Sequence, residues 1–320
     1  MKILAIQNRM GIGDTIIFLP FIKALSKKFN TPISLLVKKS SKADQYLHQT
    51  NYVDKVLFLD EEKKENDNRY SFFENLKLIK NIKKYKFEKI FIFNSSLRYH
   101  LIARFSRITK IYQYPLFKKT NQHITDTPKK FFKDQLNLDV NDDPVIEIDN
   151  MSVLNSAKKF QINKNEMNIL LGIGGSGPTK RIPAHIFLNV IEEISKKKKC
   201  KFFLATGKNP EEQVILNNIL QSQFGKLCIP LDYLSIKDTL PVIKNCDLSI
   251  CNDSSFSHLS AALKIKTITL MADTPLIYGN YSSKMYPIIP NGEQTVTHNT
   301  LGKEKIDPQK IFKKFNEIIS

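Results

Sequence analysis

Short apolar runs alternate along the whole chain with longer stretches in which apolar residues recur every third or fourth position. The first run, Ile3-Leu4-Ala5-Ile6, is apolar throughout and predicts a strand buried on both faces, and the stretch 15–29 after it has the helical period. Further strands are predicted at 33–37, 53–59, 89–93 and 110–112, with helices near 40–49, 71–85 and 96–106. This alternation implies a mostly parallel sheet with crossover helices. The polar run 61–69 reads as a surface loop, and 114–149 lacks clear periodicity apart from a helix near 127–136. Val145-Ile146-Glu147-Ile148 is strand-like, and the polar residues after it place a boundary between 150 and 166.

A second series follows, with strands predicted at 167–172, 201–205, 227–229, 248–251 and 267–271. Helices are predicted at 184–195, 210–222, 236–244 and 307–319, and another is opened by Ser254 or Ser255. A chain of 320 residues exceeds one typical core and suits two domains of about 150 residues each. The expected class is α/β, with two Rossmann-like, doubly wound parallel-sheet domains at 1–155 and 156–305.

Composition narrows the setting. Hydrophobic residues make up 42% of the chain, enough for two packed cores. Cys200, Cys228, Cys246 and Cys251 stand in apolar, strand-like surroundings without metal-ligand spacing, and read as small core residues in a reducing compartment. Met1 leads directly into the first strand, and no apolar run reaches the roughly 20 residues of a membrane span, so the expected location is the cytoplasm. Lys and Arg number 49 against 31 Asp and Glu, a formal charge of +18. That excess attracts polyanions, whether nucleic acid, an anionic membrane or a phosphorylated glycolipid, although lysines such as Lys77, Lys80 and Lys83 also suit a solvated helix face. No helix-turn-helix, zinc-finger or aromatic-basic RNA signature is present, which sets nucleic acid aside.

Candidate chemistry falls where strands hand over to helices. After the first strand, Gly11 and Gly13 permit a tight turn and close backbone approach, and Asp14 stands at the helix start on the sheet's carboxyl edge. A helix cap and a functional acid both fit that spacing. Arg98 and Arg104 follow the fourth strand on a helix, where they suit either acceptor phosphates or a solvated basic face. The strand 167–172 ends in Gly174-Gly175-Ser176-Gly177-Pro178-Thr179-Lys180, a small-residue turn open to a phosphate. It is no Walker A loop, because Pro178 and Thr179 precede Lys180. The next strand ends at Thr206-Gly207. The stretch Asp253-Ser254-Ser255-Phe256-Ser257-His258 opens a helix whose free N–H groups and dipole favour an anion, with Ser and His side chains as further donors. The same residues also make an ordinary cap.

Three of these blocks, in order, resemble the ADP-heptose:lipopolysaccharide heptosyltransferases, glycosyltransferase family 9. Asp253, Ser254, His258, Leu259, Ala261 and Ala262 match the family's Asp-(Thr/Ser)-Gly-x-x-His-Leu-x-Ala-Ala pattern. Gly13-Asp14 with Pro20 resembles its Gly-Asp-x-x-x-x-x-Pro element, and Thr179-Lys180-Arg181-Ile182-Pro183 its Lys-Arg-Trp-Pro block, with Ile182 replacing the aromatic. The resemblance implies a GT-B fold, two domains facing a cleft, with an acceptor-binding N-terminal half, a nucleotide-sugar-binding C-terminal half and a helix, 306–320, returning towards the N-terminal domain. It implies an inverting transfer of heptose, or a related sugar, from ADP-heptose to a lipopolysaccharide core or other surface glycan. Asp14 is then the general base. Lys180, Thr179, Asp253, Ser254, Ser255 and His258 hold the donor diphosphate, Gly174, Gly175, Ser176, Thr206 and Gly207 form the nucleotide loops, and Gly11, Gly13, Arg98 and Arg104 meet the acceptor.

No Asp-x-Asp occurs, so neither a metal nor a cofactor is expected and activity should survive a chelator. The expected partners are a nucleotide-sugar donor, a phosphorylated glycolipid or surface-glycan acceptor and an anionic membrane, with the protein peripheral on the inner face of the cytoplasmic membrane. Two departures bear on the donor: Ser255 stands where the family has glycine, and Ala272-Asp273-Thr274-Pro275 replaces Gly-Pro-Thr-Asp-Pro. They keep open a different nucleotide sugar, or a sugar-nucleotide-binding protein without catalysis.

Overall fold

The computed structural model describes residues 1–59, 68–116 and 123–320, and the side chains of 73–116 within the middle stretch. The chain forms two compact units, Met1–Glu147 and Ile148–Ser320. The first contains β1 (Ile3–Gln7), α1 (Ile12–Phe29), β2 (Ile33–Lys38), α2 (Asp44–Leu47), β3 (Val53–Leu59), α3 (Asn68–Tyr85), β4 (Lys89–Ile92), α4 (Leu97–Phe105), β5 (Lys110–Gln113) and α5 (Asp126–Leu136). Its strands pair in parallel in the order β3-β2-β1-β4-β5. β1 is central and buried at every position, which is why its sequence is an unbroken apolar run. One side of the sheet packs Leu4, Ile6, Ile90 and Ile92 against Ile82, Tyr99, Ile102 and Ala103. An aromatic cluster joins Phe18 and Phe21 of α1 to Phe93, Phe131 and Phe132.

The second unit contains α6 (Asn150–Lys159), β6 (Met167–Gly172), α7 (Ala184–Lys197), β7 (Cys200–Ala205), α8 (Pro210–Leu220), β8 (Cys228–Pro230), α9 (Ile236–Lys244), β9 (Leu248–Asn252), α10 (Ser255–Ala262), β10 (Lys266–Leu270), β11 (Met285–Ile288) and α11 (Pro308–Ile319). Its parallel sheet runs β11-β10-β9-β6-β7-β8. All four cysteines are buried thiols, and burial pushes Cys251 up to about 12.

Several expectations change. Val145-Ile146-Glu147-Ile148 forms no strand; its backbone meets side chains of 50–52 instead, with Tyr52 Oη donating to Val145 O and Glu147 N donating to Thr50 Oγ1 at 3.4 Å. The two units part between Glu147 and Ile148, ahead of the expected break at 155, because α6 begins at once behind its cap, Asp149, which accepts from Ser152 N at 2.7 Å. Within the second unit, α11 contributes Ile311, Phe312, Phe315 and Ile318 to the core and packs on α7. Residues 61–67 of the predicted polar loop lie outside the described residues, and 68–69 open α3. The edge strand β11 was not expected. No described helix is long and apolar enough to cross a membrane.

Candidate functional site

In a doubly wound sheet, adjacent strands whose connections leave in opposite directions open a crevice at their carboxyl ends. In the second unit that point lies between β6, which leads away to β7, and β9, which leads away to β10. The loops after these two strands meet there. Lys180 Nζ, in a short 3-10 turn (Pro178–Lys180) after β6, lies 2.9 Å from Asp253 Oδ2, the first residue after β9. His258 Nε2, one turn into α10, lies 3.8 Å from Asp253 Oδ1, and His258 and Asp253 are buried. Burial alone raises the Asp253 carboxyl, but His258 and the Lys180 ammonium beside it outweigh this and hold it below its ordinary value. Burial lowers His258, and the Asp253 carboxylate only partly opposes it, so the ring is held neutral more firmly than an exposed histidine. Tyr281 Oη lies 2.7 Å from His258 Nδ1, and the two rings stack at 5.6 Å.

The glycine turn beside this cluster is fixed from three sides. Asn252 Nδ2 donates to Ile173 O at 2.8 Å and to Gly174 O at 3.2 Å. Glu212 Oε1 accepts from Gly175 N at 2.7 Å, and Arg181 Nε donates to Gly175 O at 2.9 Å while its guanidinium pairs with Glu211. Space is tight here: a Cβ on Gly174 would stand 2.6 Å from Glu212 Oε1 and 3.2 Å from Thr206 Cα, and one on Gly207 2.5 Å from Glu212 Oε2, so the Glu212 carboxylate would have to shift. The Ser254 Oγ, Thr206 Oγ1 and Asn252 Oδ1 atoms are buried without a hydrogen-bond partner. Buried polar atoms normally have partners, and these three lie at the carboxyl ends of β7 and β9. No side chain caps α10, whose Ncap residue is Ser254, leaving its N-terminus receptive to an anion.

The predicted residues Lys180, Thr179, Asp253, Ser254, Ser255, His258, Gly174, Gly175, Thr206 and Gly207 therefore share one carboxyl edge. Ser176 is exposed at the tip of its turn. The Thr179 hydroxyl bonds the Asp273 carboxylate, a buried group that burial raises and that the Leu301 N–H and Thr179 lower more strongly. Glu212, Asn252 and Tyr281 join this edge without belonging to any of the predicted site residues. Glu212 carried the one usable signal, a carboxylate five residues after Gly207, although it also reads as an ordinary helix-start acid.

In the first unit the equivalent point lies between β1 and β4, where Asn94 Nδ2 donates to Asn8 Oδ1 at 3.3 Å. Gly11 has φ 96° and precedes α1, so glycine is required at this turn. Asp14 is half-buried in the first turn of α1, at the third helical position, where it does not act as the cap. Gly13 sits one residue before it. Arg98 lies in the first turn of α4, while Arg104 lies in its last turn, towards the opposite edge of the sheet.

Two doubly wound parallel sheets, the second with an ammonium and hydroxyls at its carboxyl edge, define an α/β protein of two such units. Residues 102–307 match the profile of Glycosyltransferase family 9 (heptosyltransferase), and the chain belongs to that family. Lipopolysaccharide heptosyltransferase 1 of Campylobacter coli is 26% identical over 179 residues, 51% of this chain and 49% of the relative, so the matched stretch spans about half of that protein's length. Among solved structures, a family 9 glycosyl transferase from Veillonella parvula is similar with a TM-score of 0.80 at 16% identity, over 99% of this chain and 97% of the other. The E. coli heptosyltransferase WaaC with ADP is similar with a TM-score of 0.71 at 12% identity, over 99% and 100%. At these identities the likeness is one of fold, GT-B-like.

Proposed function

We propose that the chain transfers a heptose, or a related sugar, from a nucleoside diphosphate donor to a hydroxyl of a lipopolysaccharide core or other surface glycan. The observation that carries this reading is the Lys180–Asp253–His258 cluster, set between a glycine turn and an uncapped helix N-terminus at the β6/β9 crevice. An α- and β-phosphate carry adjacent negative charges, and this edge offers an ammonium, a helix dipole and the hydroxyls of Ser254 and Ser255 to meet them. ADP-heptose is the preferred donor because a heptosyltransferase relative of the same fold has been solved with ADP.

The chemistry is one displacement. The acceptor oxygen attacks the anomeric carbon, the bond from that carbon to the diphosphate breaks, and Asp14 takes the acceptor's proton, leaving the anomeric centre inverted. Charge developing on the leaving diphosphate falls to Lys180 and the start of α10. Asp253 serves by holding Lys180, and Tyr281 by holding His258. The donor's nucleoside lies along Gly174, Gly175, Thr206 and Gly207.

Calorimetric titration with ADP, UDP, GDP and CMP, with and without chelator, tests the donor. Selective, chelator-insensitive ADP binding is expected. Preference for another nucleotide would change the donor and keep the reaction, and absence of binding to all four would overturn the reading. Asp14→Asn should retain ADP binding and lose transfer by a factor of about 100 or more, the usual worth of a general base. Unchanged turnover in that variant would remove Asp14 from the mechanism, and wild-type binding without any turnover would leave a sugar-nucleotide-binding protein.

A further inference from the structure

The outer face of α4 carries an apolar stripe in a basic setting. Leu97, Leu101 and Phe105 are 41%, 43% and 60% exposed, whereas Tyr99, Ile102 and Ala103 of the same helix are buried. At about 100° per residue, Leu97, Leu101 and Phe105 line up along one side of the helix, with Arg104 on one flank and Arg98 on the other. α3 packs beside α4, and Arg98 Nε donates to Asn75 Oδ1 at 2.7 Å. α3 adds exposed Leu76 and, further along, exposed Lys80, Lys83 and Lys84. Among the described residues of these two helices, Glu74 is the sole acid.

We propose that the α3–α4 face docks on an anionic lipid bilayer, with Leu97, Leu101 and Phe105 entering the headgroup region and the flanking arginines and lysines meeting lipid phosphates. Exposed apolar tips between long cationic side chains match a surface that is apolar below and negative above. A nucleic acid would satisfy the cations and leave the three apolar side chains among phosphates. The inference deepens the glycolipid reading by naming the face that meets the lipid. Its test uses neither nucleotide nor acceptor, so its failure and the failure of that reading are distinguishable.

The test is co-sedimentation of the full chain with vesicles of phosphatidylglycerol and, separately, of phosphatidylcholine. Binding to phosphatidylglycerol is expected, weaker with added salt, and much less to phosphatidylcholine. L101E/F105E should lower partition by roughly tenfold or more. The neutral pair L101Q/F105Q should lower it severalfold, separating lost apolar contact from added charge and carrying the test should the acidic pair misfold by circular dichroism. K196Q/K197Q, on α7 of the second unit, makes the same change in net charge as L101E/F105E and should leave partition within about twofold, since the proposal assigns the lipid contact to the α3–α4 face and not to net charge. No binding to phosphatidylglycerol would overturn the proposal. So would equal losses in the α4 and α7 variants, or self-association that L101E/F105E abolishes in a chain that ignores vesicles, which would assign the face to a second copy.

Discussion

Lys180 has two separable roles, and a double substitution distinguishes them. Its ammonium lies 2.9 Å from Asp253, a carboxylate 5% exposed, while Lys180 itself is 23% exposed. Lys180→Met keeps the side-chain length and leaves the buried carboxylate without its cation. Breaking a buried pair in this way costs about 3–5 kcal/mol, and the partial exposure of Lys180 reduces the expectation to about 2–4 kcal/mol. Urea denaturation, following the transition of the second unit, measures this. Adding Asp253→Asn removes the stranded charge, so the double variant should regain most of the loss, a coupling read from the cycle of wild type, two singles and the double. ADP affinity should behave otherwise. A charge-assisted contact to phosphate is worth about 1.5–3 kcal/mol, or roughly 10- to 150-fold in Kd, and Asp253→Asn cannot restore it. Recovered stability with unrecovered ADP binding is the expected pair of results. A Lys180→Met cost under about 0.5 kcal/mol, or ADP affinity returning with stability in the double variant, would refute the reasoning.

Three further predictions concern the same edge. Gly207→Ala places a Cβ 2.5 Å from Glu212 Oε2, so the carboxylate that accepts from Gly175 must shift, at about 1–3 kcal/mol and with weaker ADP binding by calorimetry. Gly177→Ala, whose Cβ meets Thr179 Oγ1 at 3.9 Å, should stay within about 0.5 kcal/mol of wild type. His258 is held below its ordinary value of 6.5 by burial, so the unfolded chain takes up that proton first as pH falls. Its stability contribution is complete above about 6.5 and declines below it, and Asp253, also depressed, adds a loss of the same sign below about 3.8. Unfolding midpoints measured from pH 7.5 downwards should therefore fall through the first window, with a shallower slope in His258→Gln; an unchanged slope would clear His258 of the effect.

The layers of the fold were legible because a parallel strand covered on both faces must be apolar throughout. Ile3–Ile6 and Ile169–Leu171 have no other use for their composition. β11 was missed for the converse reason: as an edge strand it is short, half-buried and carries Pro287, so it lacks the run that marks a central strand. The strand read into 145–148 shows the same signal misleading, since apolar residues in a connection can be buried by side-chain contacts such as Tyr52 to Val145 without a ladder. At the site, turn chemistry exposed Gly174, Lys180 and Asp253 because glycines and a charge next to a strand end are unusual. Glu212, Asn252 and Tyr281 act through partners 37, 78 and 23 residues away in sequence. No local pattern records such a pairing.

The two units place their chemistry by one rule with opposite charge. In each, the first strand of the unit's sheet is central, and its following turn is glycine-bearing and faces the turn after the next strand over, β1 towards β4 and β6 towards β9. The first unit's turn presents a carboxylate, Asp14, in the opening turn of a helix; the second presents an ammonium, Lys180, beside an uncapped helix start. Asp14 stands at the carboxyl edge of β1, half-buried in that first turn, where the proposed reaction needs a group to take a proton from an acceptor hydroxyl. The helix dipole in the second unit adds to Lys180 and suits a group that arrives as an anion and leaves more negative. The proposal thus requires proton acceptance to depend on the first unit and diphosphate affinity on the second. Asp14→Asn should accordingly lose turnover with nucleotide binding intact, whereas Lys180→Met should weaken nucleotide binding and also slow turnover; weakened ADP binding in Asp14→Asn, or unchanged ADP binding in Lys180→Met, would count against that division of labour.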